Sequence, residues 1–178
     1  MKAIVVVDLQ KDLIDGPFSI EGANNIILPI NAEIKKYETV VAVQDFHPQN
    51  HKCFLNKEQR QHCVQFSDGA NFPDIFDSQN VIKVFYRGQH PTADGYSAFF
   101  DFDREYSTYL HEWMQGKGVK EVSFVGLSIE ETIRNSAIDA ISLGYKASVL
   151  LKCCRGRDNN LIEKAIEDMK KSGVAIID

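Results

Sequence analysis

The sequence predicts an α/β fold of three layers, α/β/α, around a central, mostly parallel six-stranded sheet. Three observations carry that prediction. Short runs rich in β-branched residues alternate with amphipathic helical stretches, and a β-then-α order implies parallel strands with helices on both faces. Several runs are apolar at consecutive positions, the pattern of strands covered on both faces. Gly118, Gly144 and Gly173 each fall between a helical stretch and the next strand, where a left-handed C-cap is useful. No repeat, low-complexity tract or linker interrupts this order, so residues 1–178 read as one domain with room for a substantial core.

The first strand is 3–7. Five apolar residues follow Lys2 before Asp8 interrupts, which reads as a strand and is too short for the apolar stretch of a signal peptide. The remaining strands are 39–44, 81–86, 121–125, 147–151 and 174–177, and the helices are 24–36, 105–115, 129–142 and 159–171. In 129–142, Ile133, Ala137, Ala140 and Ile141 recur at helical spacing. The segment 46–79 is the exception. It is rich in His, Asn, Gln and Asp with little periodicity, and long irregular segments in compact domains tend to be functional.

Composition excludes several classes. Hydrophobic residues make up 44% and charged residues 25% of the chain, the balance of an ordinary soluble domain. The formal charge of −5 gives no basic footprint for nucleic acid or an anionic membrane. No apolar run reaches transmembrane length. Cys53, Cys63, Cys153 and Cys154 lack C-x-x-C spacing, so they are expected to be reduced thiols of a cytoplasmic protein.

In a parallel sheet, ligands sit beyond the carboxyl ends of the strands. Asp8 follows the first strand, Asp45 the second, Arg87 the third, and the turn 126–132 the fourth. All are expected on one edge. Asp45-Phe46-His47-Pro48-Gln49-Asn50-His51 sets a carboxylate and two imidazoles directly after a strand, and His62 follows. A carboxylate with two imidazoles suits Zn, Fe or Mn; the plainer reading is a polar loop with solvated histidines. Asp8 can serve as a general base if desolvated, or it is a loop aspartate or N-cap. Arg87 alone also fits a surface ion pair. His90 and His111 lack such company, and His111 reads as a surface or packing residue.

Taken together, these pieces resemble the nicotinamidase branch of the isochorismatase-like cysteine hydrolases, over essentially the whole chain. Asp8-Leu9-Gln10-Lys11-Asp12 is similar to that family's D-x-Q-x-D. Asp45 through His51 matches its D-x-H-P-x-x-H, and His62-Cys63-Val64-Gln65 with Gly69-Ala70 matches its H-C-V segment. Arg87-Gly88 through Asp94-Gly95-Tyr96-Ser97-Ala98-Phe99 falls on K-G…D-x-Y-S-x-F. Gly126-Leu127 and Asp139-Ala140 frame the nucleophile turn, and Cys154-Arg155-Gly156 matches the following C-R-G. The resemblance implies hydrolysis of nicotinamide to nicotinate and ammonia. It places the metal ligands on Asp45, His47 and His62 with His51 nearby, and the base on Asp8. The metal so implied is divalent, zinc first, with iron or manganese as alternatives. The ligand is a small nicotinamide-like or carboxylate molecule, bound in a pocket that takes in Leu13, Gln59, Tyr96 and Ser128. Relatives often self-associate, which raises a homo-oligomer as an expectation.

The chain then departs from the family pattern. The family's lysine is Arg87, its nucleophilic cysteine is Thr132, its ring-stacking aromatic is Gln59, the phenylalanine of its opening is Leu13, and the serine after His51-Lys52 is Cys53. A thiol ionises near pKa ~8.5; a threonine hydroxyl is far less acidic and needs a stronger base. Arg87 should hold the Asp8 carboxylate and depress its pKa, weakening it as a base, although a guanidinium can stabilise a developing oxyanion. Degenerate catalytic positions beside an intact metal set therefore predict amidase activity lost or strongly reduced. Two other readings stay open: a hydrolase using Thr132 or a metal-activated water, and a non-catalytic binding or interaction module. Cys53 and Cys63 as substitute nucleophiles are disfavoured, because they fall on non-catalytic family positions.

Overall fold

A computed structural model describes residues 1–55, 60–101 and 104–178. Its six main strands are β1 (Lys2–Val7), β2 (Thr39–Asp45), β3 (Lys83–Arg87), β6 (Glu121–Leu127), β7 (Lys146–Arg155) and β8 (Ala175–Ile177). A small hairpin of β4 (Phe100–Asp101) and β5 (Tyr106–Ser107) lies between β3 and β6. The helices are α1 (Lys11–Ile14), α2 (Ile27–Ile34), α3 (Leu110–Gly116), α4 (Arg134–Ser142) and α5 (Asn159–Lys171). The sheet order is β3-β2-β1-β6-β7-β8, and every pairing is parallel.

Burial explains the consecutive apolar runs. In β1, Ala3, Val5 and Val7 enter one core cluster and Ile4 and Val6 enter the other, because successive side chains point to opposite faces. The first cluster takes Leu110 and Met114 from α3, Ile133, Ala137 and Ala140 beside and along α4, and Ala165 and Met169 from α5. The second takes Leu13 and Ile14 from α1 and Ile27, Ile30 and Ile34 from α2. Hence helices cover both faces, the three-layer architecture predicted. The helix-end glycines adopt φ of 71, 87 and 90° at Gly118, Gly144 and Gly173. Asp158 caps α5 by accepting from the Leu161 amide at 3.0 Å.

The helix expected over 105–115 begins only at Leu110. Tyr106 and Ser107 pair with the preceding strand instead. Tyr109 then turns left-handed at φ 68°, and the Thr108 hydroxyl accepts from the Leu110 amide at 3.3 Å. Local capping chemistry thus moves the start by about one turn. The stretch 129–142 opens as a π-turn over Ile129–Ile133 before α4 proper.

Strand order fixes where the site lies. From β1 the chain builds outward to β2 and β3, then returns to the other side of β1 with β6. The switch point is therefore between the carboxyl ends of β1 and β6, where such sheets open a crevice.

Candidate metal and ligand site

The opening motif supplies the scaffolding for this crevice. Asp8 ends β1 with its backbone in the left-handed region, φ 52°, a conformation that asparagine and aspartate tolerate best and that clusters at functional sites. Gln10 ties β1 to β2: its amide donates to the Asp45 carbonyl at 2.7 Å and accepts from the Asp45 amide at 2.9 Å. Asp12 accepts from the Cys63 amide at 2.8 Å, holding the turn that carries His62. The His62 segment then runs beside His47, with backbone bonds from His47 to the Cys63 carbonyl (2.9 Å) and from Gln65 to the His47 carbonyl (2.8 Å). The part of the irregular segment from His62 to Asn71 is thus held against the β1 motif.

These clamps gather Asp45, His47 and His62, whose ligand atoms lie within 4.8 Å of one another. All three are buried. His47 Nδ1 lies 2.9 Å from the Gly88 carbonyl, which only accepts, so Nδ1 carries the proton. Its Nε2 then presents a lone pair 2.9 Å from Asp45 Oδ2. Two acceptors face one another, and only a proton or a cation between them relieves the contact. Burial pushes His47 down, but the Asp45 carboxylate and the Gly88 bond outweigh it and raise it above the ordinary imidazole value. In a metal-free protein that raised basicity favours a proton in that place. His62 is oriented the same way, Nδ1 to the Arg60 carbonyl at 3.0 Å, and burial lowers its pKa so that it is neutral. Its ring stacks on Phe18 at 4.1 Å and 9°. Burial also pushes Asp45 up, but Arg87 and His47 hold its carboxyl well below the usual range. An ionised carboxylate and imidazoles tied through their remaining nitrogens are what a divalent metal needs. Gly88 permits this packing: at φ 66°, a Cβ there would lie 2.6 Å from His47 Cε1 and 2.7 Å from Asp45 Oδ1.

The other half of the site is the group Asp8, Arg87 and Thr132, which are 2%, 5% and 2% exposed. Arg87 Nη2 donates to Asp8 Oδ2 at 2.5 Å, and Nη1 donates to the Gly95 carbonyl while lying 3.3 Å from Asp45 Oδ1. Buried Asp8 Oδ1 and Asp45 Oδ1 make no hydrogen bond. The pKa of Asp8 departs from expectation. Burial raises it, Arg87 pulls it back, Asp45 raises it again, and a smaller pull comes from Thr132; the outcome is about 6. Desolvation in a fully enclosed setting outweighs the guanidinium, so the expected depression by Arg87 is corrected. Burial opposes the Arg87 charge, yet Asp45 and Asp8 hold it protonated above its ordinary value.

Both halves face one cavity of about 530 Å3. Asp8, Leu13, Asp45, His47, His62, Arg87, Tyr96, Ser128 and Thr132 all line it, so the structure brings together nearly every residue singled out in the sequence. Gln59 lies outside the described residues. His51 packs on His47 at 4.1 Å between ring centroids, but it does not line the cavity, and its Nε2 bonds the Ala93 carbonyl at 3.0 Å. Cys63 is buried away from the cavity and its thiol is pushed well up by burial. Cys53 does line the cavity, with a thiol pushed up to about 12 by burial and the nearby carboxylates of Asp45 and Asp94.

Sequence reasoning missed Phe18, Glu131 and Arg157, all on the cavity wall. Arg157 lies 4.2 Å over the Phe18 ring and donates to the Phe18 and Ser19 carbonyls at 2.6 and 3.1 Å. Arg157, Phe18 and His62 therefore form one stacked column. Glu131 was within reach, since it adjoins Thr132 in the same turn. Nothing in the sequence pairs Phe18 with His62 or Arg157.

Fold and site define a three-layer α/β protein with three buried potential metal ligands, Asp45, His47 and His62, gathered at one edge of a parallel sheet. Residues 2–178 match the model of the isochorismatase domain, and the chain belongs to the nicotinamidase/isochorismatase-like hydrolase superfamily. It is 31% identical to the nicotinamidase of Escherichia coli (strain K12) over 180 residues, covering 87% of this chain and 83% of that one. A pyrazinamidase of Pyrococcus horikoshii, solved in complex with zinc, superposes with a TM-score of 0.85 at 29% identity, covering 99% of this chain and 98% of that one. The L. infantum protein PnC1, solved with nicotinate, gives a TM-score of 0.94 at 26% identity, covering 99% and 92%.

Proposed function

We propose that this protein is a metal-binding nicotinamidase-like protein whose cysteine-type amidase activity is lost or strongly reduced. Asp45, His47 and His62 hold a divalent metal, zinc first, with iron or manganese as alternatives. The cavity takes a small nicotinamide-like or carboxylate ligand, and the free thiols fit a cytoplasmic setting. The observation that carries this reading is Thr132 in the cavity beside an Asp8 committed to Arg87. A bound metal would act as a Lewis acid toward a ligand's oxygen or ring nitrogen. The chain's own part is narrower. Arg87 neutralises Asp8 and Asp45 and faces an incoming carbonyl or carboxylate. Thr132 offers a hydroxyl that Asp8 deprotonates poorly. Leu13 and Phe18 line the cavity with apolar surface.

Ammonia release from nicotinamide by the purified, metal-loaded protein tests the reading. The expected rate does not exceed that of free metal in buffer. Robust turnover abolished by Thr132→Ala overturns it.

One observation favours a second reading. Asp8 at about 6, with an unpartnered oxygen, is better matched to proton abstraction near neutral pH than an ordinary aspartate. It could then serve hydrolysis without a cysteine. Turnover of an amide or ether that survives Thr132→Ala but is lost in Asp8→Asn would favour it.

A further inference from the structure

His47 belongs to two groups of donors. One contains Asp45 and His62. The other contains His51 and Cys53, with ligand atoms again within 4.8 Å of one another. We propose that Cys53 is a metal ligand, forming with His51 and His47 a sulfur–nitrogen–nitrogen position for a thiophilic divalent ion such as Zn2+ or Cd2+.

The His51 ring is fully buried, and its orientation is set by the backbone. Its Nε2 lies 3.0 Å from the Ala93 carbonyl, an acceptor only, so Nε2 carries the ring proton. Nδ1 is therefore a lone pair. It faces Cys53 Sγ at 2.9 Å, with the Cys53 amide at 3.3 Å. A nitrogen and a sulfur donor already stand side by side. Lys52 pairs with Asp94 at 2.7 Å, directing that ammonium to Asp94.

A second observation is the burial of the donors. His51 is 0% and His47 4% exposed, and Cys53 and His47 line the same cavity, with the Asp45 carboxylate on its wall ion-paired to Arg87 at 3.3 Å. The family pattern that this chain resembles has serine here, so the sulfur is this chain's own. Without an ion, the Cys53 S–H donates to His51 Nδ1. Binding breaks the S–H bond, forms a metal–sulfur bond and releases the proton to solvent.

His47 offers only Nε2, because Nδ1 is held by Gly88. One ion therefore takes it either with Asp45 and His62 or with His51 and Cys53. Softness decides: thiolate favours zinc and cadmium, whereas the carboxylate-containing set also accepts manganese. The inference shares His47 with the metal position proposed above but needs no amidase or ligand reading.

The test is a titration of the metal-stripped protein with Cd2+, following thiolate-to-metal charge-transfer absorption in the ultraviolet. The band should rise to saturation in the unaltered protein and vanish in Cys53→Ser. In parallel, Cd2+ should protect Cys53 of the unaltered protein from iodoacetamide, read by peptide mass. No band despite Cd2+ bound in dialysis overturns the proposal, as does a band that survives Cys53→Ser, or an unprotected Cys53. Mn2+ uptake in dialysis reports the Asp45 set separately, so the two positions fail independently.

Discussion

Two halves of one cavity differ in what they keep. At the end of β2, Asp45, His47 and the returning His62 combine family residue types with a geometry that fits them: a depressed carboxylate and imidazoles tied through one nitrogen. At the ends of β1 and β3, which flank β2, and of β6 across the switch point, the residue types depart from the family pattern. Asp8 is bound to a guanidinium, and Thr132 presents a hydroxyl to the cavity. Backbone placement is set by sheet register, in which Arg87 pairs with Asp45, and by side-chain clamps such as Gln10 and Asp12, in which the Thr132 side chain takes no part. The side chain at position 132 is therefore separable from the frame that presents it.

Three experiments break or sharpen this contrast. The largest effect should come from Thr132→Cys combined with Arg87→Lys. If only the chemistry of that half has changed, nicotinamide hydrolysis rises by at least about 100-fold over the unaltered protein, since nucleophiles acting within a unit are worth orders of magnitude. A flat rate, with metal content unchanged, would mean that the cavity wall has changed too. Next is His47→Ala, which removes a donor common to both metal groups. Divalent metal affinity, read by competition with a chelator, should fall by more than the roughly 10–100-fold typical of losing a mere supporting contact. The smallest effect is on Asp8. A carboxyl 13C titration should show a midpoint at about 6, and Arg87→Ala should move it higher, because Arg87 pulls it down. The sign for stability follows. Its folded pKa lies above the unfolded value, so its contribution is full below the ordinary carboxylate value of 3.8 and is lost as pH rises through about 6.

Much of this was legible from the sequence. The strand runs, both covered faces and the edge that collects Asp8, Asp45, Arg87 and Thr132 follow from periodicity and from the rule on strand ends. What escaped depended on contacts distant in sequence. The Arg157–Phe18–His62 column joins three separate segments. The raised pKa of Asp8 reflects enclosure, which one-dimensional spacing cannot weigh against a neighbouring charge. The late start of α3 turns on the left-handed backbone of Tyr109, which sequence periodicity does not reveal.

Each of the three site histidines is fastened by one ring nitrogen to a main-chain carbonyl, those of Gly88, Ala93 and Arg60. Their rotamers are consequently frozen when the chain folds. Capture of an ion then demands little further ordering of the protein, so the rate of uptake should follow how readily the incoming ion sheds its own water, and nickel should load far more slowly than cadmium.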